Sequence, residues 1–391
     1  MNIAILIPEL GGGGAERVAQ IIGDYYYDKG ENVYYFLGDT TVKQVYSVKG
    51  VVINIGIKGS AINISYGDIQ ILEKLLKSSL VMRKYKREYH IDVAISFMEE
   101  FNYLNILSKG KEKVITRVCT ILSQRKELKG FLYHRHVIRF FYNLSDKVIV
   151  MSDYAREDMC KKYGISYRRM QKIPNPALRY DEESIKEEWK YGRQAIVCVG
   201  RLEHVKQHER IIRAFSYVKS QEKEAKLLIL GTGPNKIYLE NVCEKWKVQD
   251  SVYFIGFTEH VGFYLKHCKV FVMASRAEGF PNSMVEAMAY GVPVVTTDSP
   301  GACGEIVGKR KCKSTKLEIQ YCNYGILTPN ISETVKKGKE LAKEELLLGK
   351  ALEHVLSNEE LYRKYSLRSR KRAMMYNREK IMSMWGRLIE N

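Results

Sequence analysis

The sequence predicts an α/β protein with two doubly wound parallel-sheet domains in tandem. Short apolar runs, typical of parallel strands buried on both faces, alternate with amphipathic helical stretches along most of the chain. The 391 residues exceed what one hydrophobic core comfortably serves, and the 45% apolar content is sufficient for two cores. Ile173-Pro174-Asn175-Pro176 predicts the connector, because proline continues neither a helix nor a central strand.

In the first half, an apolar run at 3–7 predicts the opening strand, and a helix at about 15–27 follows it, with Gly30 as its terminator. An amphipathic helix is predicted at 69–84. Further strands are predicted at 33–37, 93–97, 114–118 and 148–151. We expect the last of these to close the N-terminal domain, which spans 1–175.

The second half repeats this rhythm more clearly. Buried strands are predicted at 196–199, 227–230, 252–255, 270–273 and 292–295, with a shorter one at 325–327. Helices are predicted near 207–219, 235–246, 261–267 and 283–290. This pattern defines a C-terminal domain over 176–371. Two such domains are expected to face each other across a cleft, with ligands at the carboxyl ends of their strands.

The chain is strongly basic, with a formal net charge of +18. Positions 70–180 hold 23 Lys and Arg against 11 Asp and Glu, so much of the excess lies in the N-terminal half. Such a patch favours a polyanionic partner: nucleic acid, an anionic membrane surface or a pyrophosphate-linked lipid. A solvated basic face without a specific partner is the alternative.

Cysteine usage and the lack of long apolar segments favour a cytoplasmic protein. The eight cysteines include no C-x-x-C pair, and the trio Cys303, Cys312, Cys322 lacks the spacing of a zinc site, so we expect reduced thiols. The opening run predicts a strand rather than a signal peptide. No stretch approaches the roughly 20 apolar residues that span a bilayer, so any membrane contact is expected from one side.

Two loops in the second half carry groups suited to phosphate binding. Arg201 and Lys206 follow a predicted strand, where a guanidinium fork and an ammonium point charge can hold a diphosphate. Gly231-Thr232-Gly233-Pro234 follows the next strand and lets the backbone approach a ligand. Ordinary surface charge and a tight turn explain each loop equally well when it is taken alone.

A third motif begins at Glu278 and runs into a short predicted helix. Pro281 and Asn282 start this helix, with Asn282 as candidate N-cap, and Gly291 stops it. Free backbone N–H groups at Ser283 and the helix dipole favour a phosphate there. Glu286, expected in the first turn, suits ribose hydroxyls, and Glu278 suits a sugar. Combined with the two cations, these carboxylates favour a functional site over unrelated surface acids.

The N-terminal loop Gly11-Gly12-Gly13-Gly14 opens a helix after the first strand and offers backbone donors to a phosphate or an acceptor. Asp39 lies where a ribose-binding acid of a dinucleotide site would lie. The G-x-G-x-x-G fingerprint nevertheless fails, because its third glycine position holds Glu16 or Arg17. The sequence therefore argues against a nicotinamide-dependent dehydrogenase.

These motifs together resemble glycosyltransferase family 4, whose members are retaining enzymes of the GT-B fold. The N-terminal Pro8-Glu9-Leu10-Gly11-Gly12-Gly13-Gly14 resembles a subgroup that builds bacterial surface polysaccharides, such as capsule, exopolysaccharide and O-antigen, and lipid-linked glycans. The resemblance is strongest over 195–307 and looser elsewhere. It rests on Gly200-Arg201-Leu202 with Lys206, Gly231-Thr232-Gly233-Pro234, Phe254-Ile255-Gly256-Phe257, Glu278-Gly279-Phe280-Pro281-Asn282 and Glu286-Ala287-Met288-Ala289-Tyr290-Gly291.

The resemblance implies a role for each matching residue. Catalytic roles, including stabilisation of the leaving diphosphate, fall to Glu278, Arg201 and Lys206. Donor binding falls to Gly231, Gly256, Phe257, Gly279, Phe280, Pro281, Asn282, Ser283 and Glu286. Phosphate or acceptor binding falls to Gly11, Gly12, Gly13, Gly14 and Arg117, although no catalytic base is identifiable beside Arg117. It also implies that a final helix at about 372–391 packs back onto the first domain.

The expected reaction moves a hexose or N-acetylhexosamine from a nucleotide sugar, with UDP preferred from the resemblance, to a polyprenyl-diphosphate-linked saccharide. No D-x-D carboxylate pair occurs, so we expect no metal or other cofactor. Cations interleaved with aromatics at 124–142, together with 82–87, suit an anionic membrane surface on the cytoplasmic face. The alternative is that Phe131, Ile138 and Phe141 face the protein core.

Two rival functions remain open. A nucleic-acid-binding protein would use the same basic patch, but it leaves Glu278 and Glu286 unexplained, and no helix-turn-helix, zinc-finger or RNP signature supports it. A GT-B nucleotide-sugar epimerase or hydrolase would act on the donor without any acceptor. The requirement for an acceptor separates that rival from a transferase.

Overall fold

The computed structural model describes residues 1–41, 44–56, 68–125, 130–177, 188–308, 317–331 and 340–390, with the side chains at 68–72 and 131 also left out. Two compact units divide the chain. One contains Met1–Asn175 and Glu379–Asn391, and the other contains Pro176–Arg378. Cys312 and positions 126–129 of the predicted basic stretch lie outside the described residues.

The first unit is built on a seven-stranded parallel sheet in the order β3-β2-β1-β4-β5-β6-β7. Its strands are β1 (Asn2–Ile7), β2 (Asn32–Leu37), β3 (Val51–Asn54), β4 (Val93–Phe97), β5 (Lys113–Arg117), β6 (Lys147–Val150) and β7 (Met170–Lys172). Its helices are α1 (Gly14–Asp28), α2 (Asp68–Glu88), α3 (Glu99–Leu107), α4 (Arg135–Leu144) and α5 (Asp153–Tyr163).

The second unit is built on a seven-stranded sheet in the order β10-β9-β8-β11-β12-β14-β13. Its strands are β8 (Ala195–Val199), β9 (Lys226–Leu230), β10 (Val252–Gly256), β11 (Val270–Met273), β12 (Val294–Thr297), β13 (Gln320–Tyr321) and β14 (Ile326–Thr328), of which only β13 is antiparallel. Its helices are α6 (His208–Gln221), α7 (Lys236–Lys245), α8 (Val261–His267), α9 (Asn282–Ala289), α10 (Cys303–Val307), α11 (Lys343–Ser357) and α12 (Glu359–Ala373).

The continuous apolar runs become strands because helices cover both faces of each sheet. In β1, Ala4 and Leu6 belong to the core formed with α2 to α5, whereas the alternating residue Ile5 lies beside Gly23 of α1. All three side chains are fully buried. The two doubly wound parallel-sheet domains predicted from the sequence are therefore confirmed.

Several elements were not predicted from sequence. The strand at 148–151 does not close the first sheet, because Met170–Lys172 pairs beside it as an outer parallel strand. With three residues, that strand is too short for the apolar run by which the others were recognised. No regular element was predicted at β3, β13, α3, α4, α5 or α10.

The chain returns to the first unit at its end. Helix α13 (Arg378–Ile389) buries Trp385, and the Lys113 ammonium donates to the Leu388 carbonyl at 2.6 Å. The returning segment begins at Glu379 rather than near 372. Arg372 stays with the second unit because its guanidinium donates to the backbone carbonyls of Glu305 and Ile306. Within the described residues, no helix is both long enough and apolar enough to cross a bilayer.

Candidate active site

The centre of the site is an ion pair at the carboxyl edge of the second sheet. The Lys206 ammonium lies 2.6 Å from Oε1 of Glu278, and both side chains are mostly buried. Lys206 ends a short 3-10 turn, His204–Lys206, after β8, and Glu278 lies in the loop after β11. Residues 72 positions apart thus form a preformed cation–carboxylate pair where ligands of open α/β sheets bind.

The start of α9 and Arg201 lie at the same strand end. Ser283 Oγ donates to the Val199 carbonyl at 3.2 Å, which anchors the first turn of α9 on the last residue of β8. Arg201 follows two positions later, and its side chain is 73% exposed and pairs with Glu203 at 2.9 Å. An exposed pair of this kind is weak, so the guanidinium can exchange Glu203 for an anionic ligand.

The glycine loop after β9 is shaped by close backbone contacts. Gly231 has φ +132°, and a Cβ there would lie 2.1 Å from the Gly200 carbonyl oxygen. Its N–H donates to the Gly256 carbonyl at 2.8 Å, so the ends of β8, β9 and β10 meet at this point. Beyond Gly256, Phe257 is 60% exposed and offers an open aromatic ring. The sequence motif therefore marks a real approach of three strand ends.

Glu278 owes its position to a glycine that the sequence analysis missed. Its N–H donates to Pro300 and its carbonyl accepts from Ala302, so that Glu278 and Gly301 form a parallel bridge. Gly301 has φ +127°, and a Cβ at this position would lie 1.7 Å from the Glu278 carbonyl oxygen. The Pro300-Gly301 pair was a readable turn signal, but nothing in the sequence connects it to a loop 23 positions earlier.

The short helix differs from its prediction in two details. Pro281 is the N-cap, and Asn282 is the first helical residue. Glu286 consequently lies beyond the first turn; it is mostly buried rather than placed directly at the N-terminus. Gly291, at φ +78° one position after the C-cap, stops the helix as predicted. Phe280 is buried, with its ring centroid 5.5 Å from that of Tyr376.

A neutral histidine, His208, lies two positions after Lys206 in sequence. Burial, with a contribution from the Lys206 charge, lowers the pKa of His208 from 6.5 to about 4. The ring is therefore uncharged at neutral pH. His208 opens α6 and adds no positive charge beside the ammonium.

In the first unit, the four glycines lie where β1 meets α1, and some backbone groups of this loop already form hydrogen bonds within the protein. The Gly13 N–H donates to the carboxylate of Glu16 three positions later, which places a negative charge at the helix start. Tyr46 Oη donates to the Gly12 carbonyl at 3.1 Å and covers the loop. An incoming anion would compete with Glu16 for these donors.

Arg117, expected to face an acceptor phosphate, is 1% exposed in this structure. Its guanidinium donates to Asn175 Oδ1 and to Cys119 Sγ, and it lies over the Phe97 ring at 5.4 Å. These contacts hold the end of β5 against the connector. A role toward the acceptor stays a prediction.

The loop contact at Gly301 leads to a test. The Gly301→Ala variant is expected to lose most transfer activity and at least about 2 kcal/mol of stability, because backbone atoms must move and the left-handed backbone is strained. Gly192→Ala is the matched control, since Gly192 also has positive φ (+76°) but nothing lies within 4 Å of its Cβ position. Thermal unfolding and transfer rates would be compared. Equal effects in both variants would contradict a specific role of Gly301 in holding Glu278.

Among the residues that the structure describes, no three His, Cys, Asp or Glu side chains are grouped so that they could hold a metal ion. The expectation that the chemistry needs neither metal nor cofactor stays a prediction.

Comparison with known proteins defines the class. Family models described as "Glycosyltransferase Family 4" and "Glycosyl transferases group 1" match residues 12–177 and 180–320. Among solved structures, sucrose-phosphate synthase from Thermosynechococcus elongatus has TM-score 0.76 at 18% identity, covering 100% of this chain and 98% of that one. HepE from Anabaena, in complex with UDP and glucose, has TM-score 0.74 at 15% identity and covers 100% and 99%. The fold is GT-B.

Sequence relatives agree with this class. An uncharacterised glycosyltransferase of Methanocaldococcus jannaschii is 28% identical over 81% of this chain and 84% of that protein. The Campylobacter jejuni N-acetylgalactosamine-N,N'-diacetylbacillosaminyl-diphospho-undecaprenol 4-alpha-N-acetylgalactosaminyltransferase is 27% identical over 78% and 83%. The chain belongs to the family 4-like glycosyltransferases of the GT-B fold, and it is a hexosyltransferase.

Proposed function

We propose that this enzyme transfers a hexose or N-acetylhexosamine from a UDP-sugar to a hydroxyl of a polyprenyl-diphosphate-linked saccharide, with retention at the anomeric carbon and without a metal. The observation that carries the donor half of this proposal is the 2.6 Å Lys206–Glu278 pair at the strand ends that also present Arg201 and the start of α9. Phosphate suits the cation, and sugar hydroxyls suit the carboxylate.

On the donor side, each group acts on a charge or a hydroxyl. Arg201, Lys206 and the backbone N–H groups at the start of α9 bind the diphosphate and stabilise the negative charge that develops as it leaves. Glu278 accepts hydrogen bonds from the transferred sugar, and Glu286 accepts them from the ribose. Gly256 and the exposed Phe257 ring border the base. The two cations and the backbone N–H groups are already in position before the negative charge develops, whereas water molecules would have to reorient.

Retention is proposed to proceed by attack of the acceptor hydroxyl on the face that the diphosphate leaves. The departing phosphate oxygen then receives the acceptor proton, so the step balances without a protein nucleophile. Glu278, which forms an ion pair with Lys206, accepts a hydrogen bond from a hydroxyl of the transferred sugar in this step. A linkage assay that showed inversion would remove this part of the proposal.

The acceptor proposal rests on relatives and on surface character. The printed name of the Campylobacter relative specifies a diphospho-undecaprenol acceptor, and another relative acts in amylovoran biosynthesis in Erwinia amylovora. Helix α2 exposes Leu76, Leu80 and Val81, and α4 exposes Phe140 and Leu144. Exposed cations, Lys77, Lys84, Arg87, Arg135 and Arg139, lie on the same helices. Such faces suit anionic lipid.

The predicted membrane stretch is corrected in one respect. Ile138 and Phe141 are buried in the core of the first unit, as the alternative interpretation held, so they are not available to lipid. Phe140, 62% exposed, is the aromatic residue of α4 that remains available. We propose peripheral binding to the cytoplasmic face of the membrane through these exposed side chains.

The deciding experiment incubates the purified protein with radiolabelled UDP-GalNAc, UDP-GlcNAc, UDP-galactose and UDP-glucose in turn. Each donor is tested with and without polyprenyl-diphosphate-linked disaccharide in vesicles that contain 30% anionic lipid. The expected result is label in the lipid fraction with one donor, dependent on the acceptor, in the presence of EDTA. Release of sugar or UDP at the same rate with and without the acceptor would instead support the epimerase or hydrolase alternative.

A further inference from the structure

The first sheet has a topological switch point between β1 and β4. These two strands are neighbours, but the chain leaves β1 toward β2 and leaves β4 toward β5, on opposite sides of the sheet. In open α/β sheets the loops at such a point diverge and leave a crevice outside the carboxyl ends, where ligands bind. Here the loop after β1 holds the four glycines, and the loop after β4 consists of Met98 followed by Glu99 at the start of α3.

Glu99 has a carboxylate whose environment is unusual for a structural residue. The side chain is 8% exposed, and its Oε1 is buried without a hydrogen-bond partner among the described residues. Burying a carboxylate oxygen without a partner is costly, so folded proteins rarely retain one without use for it. Its position in the first turn of the nine-residue α3 offsets only part of that cost.

The backbone before Glu99 is strained. Met98 has φ +68° and ψ +151°, a conformation that non-glycine residues rarely adopt. Such strain costs on the order of 1–3 kcal/mol and is concentrated at active sites and ligand clamps. The strained residue is the one that sets the direction in which α3 leaves the sheet. Strain and an unpaired buried carboxylate thus coincide at the switch point.

The titratable groups whose charges interact with Glu99 come from several elements. Burial raises the pKa of Glu99, and Arg125 opposes that rise. The Glu99 charge in turn helps to raise the pKa of six side chains on α3, α4, α5, the segment after β5 and the turn at 131–133: Glu100, Tyr103, Tyr142, Tyr163, Cys119 and Tyr133. Four of these six are tyrosines, and such side chains suit a saccharide.

We propose that Glu99 is an acceptor-binding residue whose free carboxylate oxygen accepts a hydrogen bond from a hydroxyl of the saccharide acceptor. The inference rests on the proposed transferase function and adds to it a specificity-determining residue in the first unit. The Gly11–14 loop follows the neighbouring strand β1 at the same edge of the sheet. The ligand class is therefore a hydroxyl-bearing sugar rather than an anion, which a buried carboxylate would repel.

The test compares Glu99→Gln with wild type in the same vesicle assay, with the labelled UDP-sugar and the polyprenyl-diphosphate-linked disaccharide varied separately. We expect kcat/KM for the disaccharide to fall about 5- to 10-fold, because glutamine keeps an acceptor oxygen but loses the charge that strengthens the hydrogen bond, with KM for the UDP-sugar and the Kd for UDP unchanged. Thermal stability should rise or stay level, because a desolvated charge is removed. If the carboxylate were purely structural, thermal stability would fall and kcat/KM for the disaccharide would not change specifically.

Glu100→Gln is the matched control. It removes a carboxylate one position later, from a side chain that is less buried than Glu99 and forms no part of the proposed contact, so we expect acceptor kinetics within about twofold of wild type. Wild-type acceptor kinetics in Glu99→Gln would overturn the inference while leaving the transferase function intact. Failure of wild type itself to label the lipid, with UDP still bound, would refute the proposed acceptor instead. A Glu99→Gln protein that unfolds below the wild-type temperature would show that the carboxylate is structural.

Discussion

Lys206→Met is expected to lower kcat for sugar transfer by about 10²- to 10³-fold, the usual effect of removing one preorganised group that stabilises developing charge. Methionine keeps the length and apolar character of the stem, which passes 3.7 Å from the Cβ position of Gly200, and removes only the ammonium. In the proposed reaction the leaving diphosphate then loses a part-buried ammonium, while Arg201 is exposed and His208 is neutral. Steady-state rates with the labelled donor give the measurement.

A control variant tests whether the loss of any positive charge would lower the rate. Lys245→Met removes an exposed ammonium from the last turn of α7, and its rate should stay within about twofold of wild type. Lys206→Arg should recover part of the activity, since a guanidinium keeps the charge but not the geometry. The Lys206→Met, Glu278→Gln double variant should lose less than the two single losses combined, because the residues form one pair. A fall smaller than threefold in Lys206→Met would contradict the site assignment.

Glu345→Gln is expected to destabilise the second unit by about 3–5 kcal/mol. The substitution removes the negative charge of a carboxylate that two buried guanidiniums share. Glu345 is fully buried, and its Oε1 lies 2.6 Å from Arg210 Nη1 and 2.9 Å from Arg213 Nε. Its other oxygen accepts from the Ala342 N–H at 2.9 Å and caps α11. Glutamine matches the shape but removes the negative charge that two desolvated guanidiniums share.

The comparison for this variant is Glu344→Gln, which removes an acid from the same first turn of α11 and should cost at most about 1 kcal/mol through the helix dipole. Because the chain folds into two units, hydrogen exchange of peptides from 195–308 after stepwise urea addition would report the second unit alone. A loss below 1 kcal/mol in Glu345→Gln would show that the two arginines find other partners.

The sequence predicted the positions of the candidate site loops because each loop directly follows an apolar strand. Arg201, Lys206, the glycine pair at 231 and 233, and Glu278 all follow strands that were recognised from continuous apolar runs. The carboxyl ends of parallel strands meet at one edge, so strand order alone brought these residues together. Local signals were also sufficient for the stop of α9 at Gly291, where a left-handed residue is required.

Contacts between distant segments could not be predicted in this way. Nothing local indicates that Gly301 supports Glu278 or that Arg117 is buried against Asn175. Glu99 appears in the sequence as one of two adjacent acids, and only its burial distinguishes it. The stretch at 124–142 shows the same limit. Phe140 is exposed and Phe141 is buried, because consecutive residues of a helix point in different directions.

By itself, the sequence determined the class of this protein, two α/β units with parallel sheets, and the placement of the candidate motifs at the strand ends, since apolar period and loop composition are local properties. The tertiary structure alone decided which side chains meet. It paired Lys206 with Glu278, returned α13 to the first sheet and left one oxygen of Glu99 unpartnered within the described chain. Burial and hydrogen-bond satisfaction depend on neighbours far apart in sequence, so those facts arise only when the chain has folded.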